Sequence, residues 1–203
     1  MTVQRDCLKL YPEIYGAELP LRPALYLDLL DRYERAKTAA RISTKDFQTY
    51  KDLYKDIIEV LNRQLVLVAG INNIIHRGDF NAFATISGGT LSSLEKFAGK
   101  TLSDRFKYLD DCWYKIEREI IDAEVRNSIA HNNVNYDEVT QIIAYVPESG
   151  GMKPTSTHQI YFLDFMRMIL VAFREMNNLH HLVKCLLYFE YLILQSPKTK
   201  DGQ

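Results

Sequence analysis

Between Leu163 and Leu194 large apolar residues recur at spacings of three and four, but over more than one side of a helix. They include Phe165, Ile169, Ala172, Phe173, Met176, Leu179, Val183, Leu186, Leu187, Phe189 and Leu194. A helix that is apolar on several sides needs cover on several sides, so this segment is either the centre of a helical bundle or in part a dimer surface. Two helices meeting near "NNLHH" fit the same pattern.

The rest of the chain supplies the helices such a centre requires. Pro23 opens a helical pattern that carries Leu27, Leu30, Tyr33, Ala36 and Ala40 on one face. Ser43 and Asp46 stand at a capping-box spacing before Phe47, Tyr50, Tyr54, Ile57 and Leu61, which lead into "LVLVAGINNII" with Gly78 as its stop; Gly70 reads as a close-packing point or a break. A turn-rich passage around Gly88-Gly89 and a short helix "LSSLEKFAG" follow. The basic residues there, Lys96, Lys100, Arg105 and Lys107, read as solvated charges. Residues 1–20, with Tyr11, Pro12, Gly16 and Pro20, read as a lead-in arm with at most short helical turns, and residues 196–203 as a disordered tail. After residue 133 the period changes. "TQIIAYV" and "STHQIYFL" are β-branched and aromatic and flank the turn-rich "PESGGMKP", so they form a hairpin. The fold class expected is mainly α: a bundle of four or five helices with a small β-hairpin, as one domain over residues 1–203.

The run from Thr101 holds the chemistry. Thr101 and Asp104 open it as a capping box, and Leu102, Phe106, Leu109, Trp113, Ile116, Ile120 and Ala123 form one stripe if the helix is continuous. On that count Asn127 and His131 prolong the buried stripe, with Arg126 at its edge. Polar groups where a core would carry Leu or Val mark a candidate site.

The segment Arg126-Asn127-Ser128-Ile129-Ala130-His131 resembles the motif of the HEPN domains, small all-helical modules whose nucleolytic members carry Arg, four to six intervening residues and then His, usually with a polar residue directly after the Arg. The resemblance implies a metal-independent endoribonuclease and a prokaryotic defence or stress effector, with antiviral defence among the roles. It also implies a homodimer in which the two motifs face each other across a two-fold axis. In the subfamily paired with nucleotidyltransferase antitoxins a Tyr stands two residues after the His. Here that residue is Asn133, which leaves an antitoxin partner open but not indicated. A second Arg-to-His spacing, Arg174 to His180 or His181, has Glu175 after its Arg, an anion that opposes phosphate binding.

The chemistry suits these residue types. Cleavage by the 2′-hydroxyl needs a base, an acid and a cation on the phosphate; an imidazole serves as either of the first two near neutrality, and Arg donates a planar fork that never deprotonates. Arg126, His131 and Asn127 are the expected catalytic residues, with Tyr136 and Asn132 expected to touch the RNA. The bland alternative pairs Arg126 with Asp122 and makes His131 a helix-end residue, and the rival function is a non-catalytic binding or scaffold module. Neither a cofactor nor a metal is expected. His180, His181 and Cys185 lack a further ligand pair, and the three cysteines are too scattered for a zinc site or a disulfide framework. "SGGT" lacks the Gly-Lys of a phosphate loop. A formal net charge of −1 excludes indiscriminate coating of nucleic acid, so positive potential must be local. No signal-peptide core or membrane-spanning run is seen, and the expected location is the cytoplasm.

Overall fold

The structure is a computed structural model that describes residues 2–27, 41–44, 46–87, 89–116, 123–130, 132–146 and 157–195. Its elements are α1 (Thr2–Gly16), α2 (Glu18–Leu27), α3 (Phe47–Arg77), α4 (Leu94–Ala98), α5 (Leu102–Lys107), α6 (Ala123–Ala130), β1 (Val134–Asp137), β2 (Ile142–Tyr145), β3 (His158–Tyr161) and α7 (Phe162–Tyr188). The chain is mostly helical with a small antiparallel sheet, the fold class read from its periodicity.

The centre is the pair α3 and α7, with α1 and α2 packed on α7 and α1 also on α3. The first two-thirds of α7 bury Phe165, Met166, Ile169, Ala172, Met176 and Leu179 completely. The helix runs unbroken through "NNLHH", which settles one helix against two. α3 starts at Asp46, whose carboxylate accepts from the Thr49 N–H (3.1 Å), three residues later than Ser43 would have it. It ends where read, at Gly78 in the left-handed region (φ 73°) with its N–H donating to the Ile74 carbonyl. Gly70 makes no break. A Cβ there would meet Leu94 Cδ1 at 3.1 Å, so its missing side chain lets α4 approach.

The first twenty residues are not an arm of short turns. α1 and α2 together bury Cys7, Leu10, Ile14, Ala17, Leu21 and Ala24, an alternating three-and-four stripe that continues across the junction between the two helices. Pro12 is exposed, Gly16 ends α1, and Pro20 lies in the first turn of α2, where a missing N–H costs nothing. Arg63 fastens α1 to α3 through Asp6 (2.6 Å). The helix expected from Pro23 starts earlier, at Glu18, and its continuation through residues 28–40 lies outside the described residues, as does the 196–203 tail.

The long run from Thr101 is broken. α5 is capped as expected, with Thr101 Oγ1 accepting from the Asp104 N–H (3.3 Å), but it ends at Tyr108, and Asp111 takes a left-handed φ of 39°. Polar side chains of α3 hold this turn. Asn72 Nδ2 donates to the Asp110 carbonyl (2.9 Å), its Oδ1 accepts from the Trp113 N–H (3.3 Å), and Arg77 pairs with Asp110. A helical phase counted from Leu102 therefore does not carry through to Asn127.

The sheet has the order β1-β2-β3, all antiparallel, with Ile142 opposite Tyr161 and Val134 opposite Tyr145. β2 and β3 are the expected hairpin. β1 is an addition, missed because "VNYD" alternates polar residues and shows no apolar run. Asp137 closes the β1–β2 turn by accepting from the Val139 and Thr140 N–H groups (2.8 and 3.1 Å). Gln141 then bonds both main-chain groups of Ile42 (2.8 and 2.9 Å), tying the segment before α3 to the sheet.

Candidate active site

α6 is short and rests on α3 through Val125 and Ile129, both buried. Ser128, also buried, places its hydroxyl 2.8 Å from the carbonyls of Glu124 and Val146, so its one proton serves the helix or the end of β2 in turn. The N–H groups of Asn132 and Asn133 donate back to the carbonyls of Ile129 (3.1 Å) and Ser128 (2.8 Å), with Asn132 at a left-handed φ of 57°. That is a Schellman closure with Asn as the left-handed residue. The buried face of α6 is thus Val125, Ser128 and Ile129. Asn127 is half-buried beside that face, not on a stripe continued from α5.

The structure brings Arg126 and Asn127 together. Arg126 Nη1 donates to Asn127 Oδ1 (3.2 Å), and its Nη2 lies 3.7 Å from Glu59 Oε2 on α3, a loose pair with a half-exposed carboxylate. Such a pair contributes at most about 1 kcal/mol, so the guanidinium is not locked away from a phosphate. Asp122 and His131 lie outside the described residues. Asn132 is exposed and accepts from Lys51 Nζ (3.1 Å), a lysine of α3 whose body is buried against the protein. Lys51 and Glu59 were not singled out in the sequence. Their i and i+8 spacing on a long helix says nothing until α6 is known to run antiparallel beside it.

A second imidazole near the motif helix also escaped the reading. His158 Nδ1 stands 3.5 Å from Glu124 Oε2 in the first turn of α6, with its ring edge-on to Tyr145 at 5.5 Å. Its position follows from the antiparallel pairing of Tyr145 with His158 across the hairpin. It meets the opposite end of α6 from the one that leads into His131.

Tyr136, expected to stack on a base, is a packing residue. Its ring stacks on Phe47 (5.0 Å, 29°) and stands edge-on to Phe162 (5.1 Å), because β1 turns this side chain toward the start of α3 and α7. Its hydroxyl is buried with no partner among the described residues, and burial raises its pKa above the ordinary phenol value. Tyr136→Phe is therefore expected to raise stability by about 0.5–1 kcal/mol, read as a higher urea midpoint at unchanged slope, and to leave RNA cleavage unaltered.

The histidine pair on α7 is split by burial. The His180 ring is 1% exposed with neither nitrogen bonded among the described residues, whereas His181 and Cys185 are exposed. Among the described residues no group of three His, Cys, Asp or Glu side chains converges to hold a metal. Burial, and after it Lys184 and His181, lower the His180 pKa below the ordinary imidazole value. The unfolded chain then takes up a proton before the folded one does. Stability is full above about pH 6.5 and is lost as pH falls through the lowered folded value. In His180→Leu the fall in urea midpoint between about pH 7.5 and 5.5 should shrink relative to the parent.

Comparison with protein-family models, with curated proteins and with solved structures returns no match for this chain. Among the described residues no helix is long and apolar enough to cross a membrane. The functional reading therefore rests on the site itself.

Proposed function

We propose that this chain is a metal-independent endoribonuclease of the HEPN kind that it resembles, acting in the cytoplasm on single-stranded or loop RNA as a defence or stress effector. The observation that carries the reading is that two cations stand along α6: Arg126 on the helix, bonded to Asn127, and Lys51 of α3, which reaches Asn132 just past the helix end. Local positive charge of this kind is what a chain of net charge −1 needs to hold a phosphodiester. His131 takes the 2′-hydroxyl proton as the 2′-oxygen attacks phosphorus. The 5′-oxygen leaves with a proton from a second acid, giving a 2′,3′-cyclic phosphate and a 5′-hydroxyl. Arg126 stabilises the charge that builds on the non-bridging oxygens.

One motif supplies one imidazole, and the second comes from another copy across a two-fold axis that sets the two motifs face to face. Asn132 and Asn133 are exposed at the end of α6 and leave that end accessible to such a copy.

Glu59 favours a second reading. A carboxylate 3.7 Å from the guanidinium competes with phosphate for it, as expected of a non-catalytic binding or scaffold module. Purified protein incubated with total RNA in excess EDTA separates the two. Fragments ending in cyclic phosphate support the nuclease; intact RNA with a folded dimer confirmed supports the scaffold.

A further inference from the structure

The last part of the final helix stands exposed. Every residue from 185 to 195 is exposed, and beyond Tyr188 the helix widens into a π-turn (Phe189–Leu194), with the Gln195 N–H donating to the Glu190 carbonyl (3.0 Å). Residues 186–189 and 191–194 are all large and apolar, each between 44% and 64% exposed, and they point to every side of the helix. Eight side chains of this size present on the order of 800 Å². That exceeds the roughly 300–600 Å² of the largest patch on a typical monomer, so the segment calls for cover.

We infer that residues 186–194 form a self-association surface, seated in solution against the same segment of a second copy of this chain. Length and charge select this occupant. The segment is less than half the ~20 residues that cross a bilayer, and it lacks the charged face of a helix that lies in a membrane surface. Its one charge is Glu190, and Lys184 stands one and a half turns before it. An antiparallel two-fold pairing centred on Leu187 sets Glu190 against the partner's Lys184 twice over, burying acid against base. The contact is not the motif-to-motif one. Tyr136, six residues past α6, meets Phe162 at the start of α7, and Leu186 lies about 36 Å further along α7 at 1.5 Å per residue. A chain that uses both contacts assembles beyond a dimer.

Sedimentation of the full chain over about 1–100 μM tests this, with Leu187→Glu/Tyr191→Glu as the first variant and Leu192→Glu/Leu194→Glu as the second. These side chains are largely exposed, and unchanged circular dichroism will confirm the fold. The expected result is a parent mass at least twice that of either variant. Glu190→Lys alone should weaken association at least about 10-fold, and Glu190→Lys/Lys184→Glu should restore it. Equal masses for parent and variants would overturn the inference. So would a monomeric parent that instead pellets with phosphatidylcholine–phosphatidylglycerol vesicles. The readout is mass, so an inactive nuclease leaves this inference standing, and a failed association leaves the cleavage assay unaffected.

Discussion

His131→Ala is expected to lower RNA cleavage by about 10²–10⁴-fold while leaving affinity for uncleavable 2′-deoxy-substituted RNA within about twofold. An imidazole that only moves protons contributes to the transition state and little to the ground state. Arg126→Ala should behave differently, losing about 10²-fold in cleavage and also weakening binding, because a guanidinium on a phosphate acts before and during the reaction. Lys51→Met should weaken binding with a smaller effect on the rate at saturation. Fluorescence anisotropy and single-turnover gel assays on the same oligonucleotide read both quantities. Parent-level cleavage in both the His131 and Arg126 variants would remove the motif from the mechanism.

The largest expected effect on stability falls at Arg105. Its guanidinium is only 5% exposed and donates to three carbonyls, those of Lys100 (3.0 Å from Nε), Asn62 and Ala98, while lying over the Phe97 ring at 5.5 Å. It knits α5 and α4 to α3, and burial lowers its pKa from the ordinary guanidinium value without discharging it. Arg105→Met removes every donor and leaves carbonyls unbonded in the interior, a loss of about 3–5 kcal/mol on the scale of 1–3 kcal/mol per orphaned buried group. Arg105→Lys should lose about 1–2 kcal/mol, since one ammonium cannot reach all three oxygens. Urea unfolding of the two variants beside the parent decides it. A loss under 1 kcal/mol for Arg105→Met would mean that water replaces the guanidinium.

Arg105 also shows why parts of this chain could not be read from sequence. It stood among Lys96, Lys100 and Lys107 and looked like one more solvated charge; only the convergence of three carbonyls, from α3, from the end of α4 and from the turn after it, makes it interior. The helices of α3 and α7, the Gly78 stop, the Thr101 cap and the β2–β3 hairpin were legible because each depends on residues a few positions apart. The α1–α2 stripe was hidden by Pro12, Gly16 and Pro20, whose positions on exposed or terminal turns cancel their usual meaning. The break after Tyr108 is set by Asn72, thirty-six residues upstream, and no local signal reports it. In the candidate site Arg126 and Asn127 were singled out from their spacing to His131. Lys51, Glu59 and His158 arrive through tertiary pairing, and Tyr136 was misassigned because an aromatic near a motif looks the same in sequence whether it faces a ligand or a core.

The central place of α7 also bears on how the protein is made. Tyr11 on α1 bonds Asn177 across 166 residues of chain, and Gln64 on α3 donates to the Met176 carbonyl (3.0 Å) across 112. The apolar faces of α1, α2 and α3 are therefore finished on the ribosome well before the helix that covers them leaves the exit tunnel. Closure of the core waits for α7, so folding is slow for a helical protein. In the interval those faces are open to chaperones and to one another.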